Sequence, residues 1–185
     1  MRLFAALIPA EEALDELAGT LAPVRASWPG LRWLDRGLWH VTLAFYGEID
    51  ETARPRLLAG LERAARSPAF GLSLAGAGAF PQGAPRSRVL WTGVEGEVQT
   101  LTSLAEAAIT AGEAAGALQD PHRAYHPHLT VARSRVPRDL RPLTGHLSDF
   151  AGTPWTADEL HLVRSHHGGP RYESLARWRL GGPEA

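Results

Sequence analysis

Two short stretches, HVTLAF at residues 40–45 and HLTVAR at residues 128–133, each place a histidine and a threonine two positions apart among apolar residues. Side chains alternate between the faces of an extended strand, so His40, Thr42 and Ala44 share one face while Val41, Leu43 and Phe45 take the other. By the same rule His128, Thr130 and Ala132 share a face, opposite Leu129 and Val131. A histidine near its unperturbed pKa of about 6.5 serves as acid or base at neutral pH, and a facing pair can remove one proton while donating another. The threonine hydroxyl, roughly 6.5–7 Å along the same face, is placed to donate to an anionic oxygen between the pair. Two imidazoles and two hydroxyls around one centre suit in-line displacement at phosphorus. One imidazole deprotonates the attacking water, the other protonates the leaving oxygen, and the threonines hold non-bridging oxygens. No metal or cofactor is expected.

One copy alone would not carry this reading, because a half-exposed strand histidine is ordinarily a satisfied polar side chain and threonine is simply a good strand former. Recurrence changes that. With eight histidines in the chain, this composition gives roughly 0.1 expected matches and a probability on the order of 0.004 for two.

The elements that must position these residues alternate between helix and strand. Arg2 to Ile8 reads as a strand, and after Pro9 the residues Leu14, Leu17, Leu21 and Val24 recur at helical spacing until Pro29 and Gly30. Leu31 to Leu34 and Leu38 to Tyr46 read as strands joined by a turn at Asp35, Arg36 and Gly37. Asp50 to Ser67 reads as a helix, with Pro55 tolerable near its first turn and Leu57, Leu58 and Leu61 inward. Residues 70–80 and 87–94 read as strands around PQGAPR, and an alanine-rich helix fills much of Gly96 to Leu118. A strand over Ala124 to Arg133, a short helical or loop region through Phe150, and strands near Trp155 to Ser165 and Tyr172 to Leu180 complete the chain. Short connections between strand pairs favour antiparallel pairing and an α+β layered fold.

The bulk properties narrow the function. The 185 residues, 44% hydrophobic and 21% charged, fit one domain spanning 1–185 with a full core. No apolar run reaches the roughly 18–20 residues of a membrane helix. The opening MRLFAALIPAEEALDE passes into acidic residues after a short apolar run, which fits a buried strand and helix better than a secretion signal. There is no cysteine, which removes disulfides, thiolate metal sites and a cysteine nucleophile and makes a cytoplasmic location the default. A net charge of −1 argues against a general polyanion binder, so any nucleic acid is recognised locally. All 19 basic residues are arginine, which looks more like a coding bias than a functional choice. Neither GxGxxG nor GxxxxGK[ST] is present, which disfavours dinucleotide and nucleotide-fuelled enzymes.

The two H-x-T-x motifs, HVTL and HLTV, stand 88 residues apart. Together with RLFAAL, WHVTLAFYGE, GAGAFP, RVLWTGV, PHLTVAR, LVRS and RYESL in that order, they resemble the 2H phosphoesterase superfamily over nearly the whole chain. Within it they are most similar to the RNA 2′,3′-cyclic phosphodiesterases, the ThpR or LigT family of 2′-5′ RNA ligases. The resemblance implies a bilobal α+β fold of two pseudo-symmetric halves, with antiparallel sheets lining a central cleft and helices outside. It implies hydrolysis of a 2′,3′-cyclic phosphate on an RNA end or nucleotide to a 2′-phosphomonoester, with reversible 2′-5′ ligation as a side activity. It assigns His40 as proton donor, His128 as proton acceptor, and Thr42 and Thr130 as phosphate ligands. A monomer is expected.

Tyr46 replaces a frequent leucine of that family; it is a candidate for stacking on a base if it shares the His40 face, against strand-end packing as the plainer role. Arg133 is common after the second motif in relatives, but strict alternation points it away from His128, so a phosphate contact needs a twist or bulge. His122, His126 and His128 invite a zinc reading that lacks an evident third ligand and nearby carboxylates. His166 and His167 read as a loop tip, and the tryptophans and Phe80 as core or rim. The alternative to an enzyme is a noncatalytic RNA-end or nucleotide-binding module on the same fold; a metallohydrolase is the third reading.

Overall fold

The helical spacing of Leu14, Leu17, Leu21 and Val24 forms α1 (Glu11–Ser27), and all four side chains are buried. It follows β1 (Arg2–Leu7), whose residues from Leu3 onward are buried on both faces. The structure, a computed structural model, describes residues 1–117, 124–166 and 172–181. Within them follow β2 (Arg32–Trp33), β3 (Val41–Glu48), α2 (Arg54–Ala64), β4 (Phe70–Phe80), β5 (Ser87–Gly96) and α3 (Val98–Ala114). Then come β6 (His128–Arg138), α4 (Arg141–His146), β7 (Trp155–Ala157), β8 (Glu159–Ser165) and β9 (Tyr172–Arg179). Helices and antiparallel strands are therefore mixed in an α+β fold.

Among the described residues the strands form one sheet in the order β7-β4-β5-β6-β3-β1-β8-β9, with β2 added beside β6. Read outward from its centre, the order is two matching series, β6-β5-β4-β7 and β3-β1-β8-β9. Each series is antiparallel throughout and begins with a motif strand. The two series touch through the pair Val41 and Leu129, both fully buried. The antiparallel strands of the two halves are thus joined into a single sheet at this bridge.

The helices cross over between the series. α1 follows β1, yet its Leu17 and Leu21 lie beside Gly76, Thr92 and Val131 of the other half, where the Glu16 carboxylate also accepts the Thr153 N–H. α3 follows β5, yet packs on β3, where the Tyr46 hydroxyl donates to the Ala108 carbonyl at 2.9 Å. Gly60 lets α2 close on α3, since a Cβ there would stand 2.6 Å from the Ala111 Cβ.

Two expected elements are corrected. The strand expected from Ala124 to Arg133 begins at His128 and continues to Arg138. The strand expected near Trp155 to Ser165 is two, one pairing with β4 and the other with β1. Its buried residues change phase between them, from Trp155 and Ala157 to Leu160 and Leu162. A continuous strand cannot keep both pairs on one face.

Candidate active site

Both motif strands carry an irregularity at the same place. Along β3, Thr42 pairs with Ala6 and Ala44 with the next residue, Ala5, leaving Leu43 as an extra residue. Along β6, Thr130 pairs with Trp91 and Ala132 with the next residue, Leu90, leaving Val131 extra. A bulge of this kind shifts the alternation by one position. Leu43 and Ala44 are therefore both buried, Phe45 is 45% exposed, and Tyr46 is 3% exposed. In the second motif Val131 and Ala132 are both buried, and Arg133 emerges on the face of His128 and Thr130.

The bulges decide where two candidate residues lie. Arg133 lies on the face of His128 and Thr130 because of the bulge, and its charge lowers the His40 pKa. Tyr46 is corrected: the shifted phase turns it into the core, where its hydroxyl is tied to α3 and burial pushes its pKa up. A base cannot stack on it. Tyr46→Phe is expected to cost about 1 kcal/mol through the lost buried hydrogen bond and to leave turnover unchanged. Urea unfolding and a turnover assay check both.

The bridge between Val41 and Leu129 brings the motifs together. Continuing that antiparallel register by one residue in each direction sets His40 alongside Thr130 and Thr42 alongside His128. All four residues thus belong to the face opposite the two buried bridge residues.

Each imidazole is oriented in the same way. His40 Nδ1 lies 2.7 Å from the Leu38 carbonyl oxygen, and His128 Nδ1 lies 2.6 Å from the His126 carbonyl oxygen. A carbonyl only accepts, so Nδ1 carries the proton in both rings, and in the neutral form Nε2 holds the lone pair. Aromatic walls stand behind the rings. Phe4 and Tyr172 lie 4.8 and 5.3 Å from His40, and Phe80 and Trp91 lie 4.9 and 6.0 Å from His128. Trp91 fits only because residue 78 is glycine: a Cβ there would come within 2.2 Å of the indole.

Burial pushes the His40 pKa down to about 4; the Leu38 hydrogen bond opposes this shift, and the nearby His128 and Arg133 reinforce it. Burial therefore keeps His40 neutral in the resting protein at pH 7.

Three contributors escaped the sequence reading. Tyr125, just before β6, donates its hydroxyl to the Thr42 carbonyl at 3.0 Å and so ties the entry of one motif to the backbone of the other. Phe4 and Tyr172 were the others, hidden because a strand aromatic reads equally as core. Of the remaining histidines, His126 packs 4.8 Å from Trp91 and His166 lies 3.0 Å from Glu173, while His122 and His167 lie outside the described residues. Among the described residues no helix is long and apolar enough to cross a membrane.

The sequence and the fold have relatives. The chain belongs to the 2′-5′ RNA ligase superfamily, whose pattern matches residues 14–169. An RNA 2′,3′-cyclic phosphodiesterase of Escherichia coli (strain K12) is 33% identical over 141 residues, covering 76% of this chain and 75% of that protein. The crystal structure of TT0787 of Thermus thermophilus matches with a TM-score of 0.76 at 30% identity, covering 100% of both chains. That of E. coli LigT complexed with 3′-AMP matches with a TM-score of 0.75 at 27% identity, covering 97% of both.

Proposed function

We propose that the protein hydrolyses 2′,3′-cyclic phosphates at RNA ends to 2′-phosphomonoesters by metal-independent acid-base catalysis, with reversible 2′-5′ ligation as a side activity. The observation that carries this reading is the pair of imidazoles, each with Nδ1 held by a carbonyl two residues upstream, on strands that meet at Val41 and Leu129. The similarity to proteins named RNA 2′,3′-cyclic phosphodiesterase supports the substrate class.

In this reading the cyclic phosphate lies between the rings, its non-bridging oxygens held by Thr42, Thr130 and Arg133. His128 Nε2 takes a proton from water as the water attacks phosphorus. His40 gives a proton to the departing 3′ oxygen, so the P–O3′ bond breaks and the phosphate remains on O2′. The resting site leaves His40 neutral, so substrate has to favour its protonation. The phosphate does so by placing negative charge beside His40 and against Arg133, whose charge disfavours the imidazolium. In ligation the 5′ hydroxyl of a second strand takes the place of the attacking water: it gives its proton to His128, the P–O3′ bond breaks as before, and the phosphate then joins O2′ to O5′.

An oligonucleotide ending in 2′,3′-cyclic phosphate, incubated with the protein in chelator, should yield the 2′-phosphomonoester. A 3′-phosphomonoester, or dependence on added metal, would reject the mechanism. Binding without product would leave a binding module on this fold.

A further inference from the structure

One edge of β6 is shared by two strands. β3 meets it at Leu129, and β2 meets it at Ala132 and Arg133, with Arg32 directly opposite Arg133. Directly opposed residues of an antiparallel pair project from the same face. Trp33, opposite the fully buried Ala132, packs against the core and donates its Nε1 to the Trp28 carbonyl. Arg32 therefore lies with Arg133 on the face of the two histidines. Arg135, two residues beyond and past the buried Ser134, is exposed as well.

Like charges directly opposed across a ladder destabilise it. Here no described carboxylate forms an ion pair with Arg32, Arg133 or Arg135, whereas Arg36 is held by Glu11 and Asp15, and Arg141 by Asp139. All three unpaired arginines are exposed. The arrangement is a fork of cations beginning at the site and leading outward from it.

We infer that Arg32 binds a second phosphate, the phosphodiester one nucleoside upstream of the reacting cyclic phosphate. This rests on the reading above, in which Arg133 serves the reacting phosphate. Arg32 stands on the outer side of Arg133, and an arginine fork matches two phosphate oxygens at once. A cyclic mononucleotide has one phosphate and leaves Arg32 without a ligand; an RNA end has a second and neutralises the opposed pair. The site accordingly prefers a chain end to a free cyclic nucleotide.

Adenylyl-adenosine 2′,3′-cyclic phosphate and adenosine 2′,3′-cyclic phosphate are compared by kcat/KM over a range of salt, and their 2′-phosphate products by direct titration. The dinucleotide should be preferred, with a salt slope steeper by about 0.7, the value for one contacted phosphate on a single strand. Arg32→Gln should lower that preference at least five-fold and remove the extra slope, Arg32→Lys should retain part of both, and Arg56→Gln on the exposed side of α2 should alter neither. An unchanged preference in Arg32→Gln overturns the inference, as does an equal loss on both compounds, which would put Arg32 on the reacting phosphate. Titration separates the two proposals. If neither cyclic compound is turned over while the product affinities respond as described, it is the catalytic reading that fails.

Discussion

Replacing either His40 or His128 with alanine is expected to lower turnover of a 2′,3′-cyclic phosphate by about 10² to 10⁴, the usual worth of one positioned acid or base. Removing both should cost far less than the product of the single losses, because each proton transfer serves the same displacement and the residual rate comes from phosphate binding. The single variants should still bind the 2′-phosphate product, since Thr42, Thr130 and Arg133 are untouched. Near-normal turnover in the double variant would remove both rings from the chemistry. Circular dichroism and product binding exclude loss of fold as the cause.

Lowering the pH from about 6.5 to about 4 is expected to weaken the fold through His40, by up to the order of 3 kcal/mol. The sign follows from the direction of its shift. The folded protein resists protonating His40 until pH falls to about 4, whereas the unfolded chain accepts that proton near 6.5, so the unfolded state binds more protons within the window. Stability therefore falls with pH from 6.5 to 4 and ceases to change through this group below it. Partial access of the half-buried ring to water makes the figure an upper bound. Urea unfolding at pH 7 and pH 4 should give a smaller difference for His40→Gln than for the native chain. Arg133→Gln removes one charge that opposes protonation, so it should raise the His40 pKa and narrow the window from its lower end. Equal pH dependence in the native chain and His40→Gln would contradict the burial assigned to the ring.

How legible these features were depended on whether charge or only apolarity marked a position. The H-x-T repeat showed two strands with matching faces, and α1 was legible because Leu14, Leu17, Leu21 and Val24 recur in one phase. The bulge at Leu43 was hidden, since Leu43, Ala44, Phe45 and Tyr46 are all apolar or aromatic and fit either face. Its twin at Val131 left a trace: strict alternation would have sent Arg133 into the core, where an unpaired guanidinium is too costly to bury. Comparing the motifs position by position would have carried that shift to Phe45 and Tyr46. The Tyr125 tether had no comparable signal, because its partner is a backbone carbonyl 83 residues away in sequence. The crossed packing of α1 and α3 was equally silent, as amphipathic spacing tells which side of a helix is covered but not by which sheet.

That crossed packing governs how the enzyme can move. Spreading the two imidazoles apart by a hinge at the central bridge would strip α1 from one half and α3 from the other, exposing two apolar faces together. The spacing of the rings is consequently tied to the cohesion of the core.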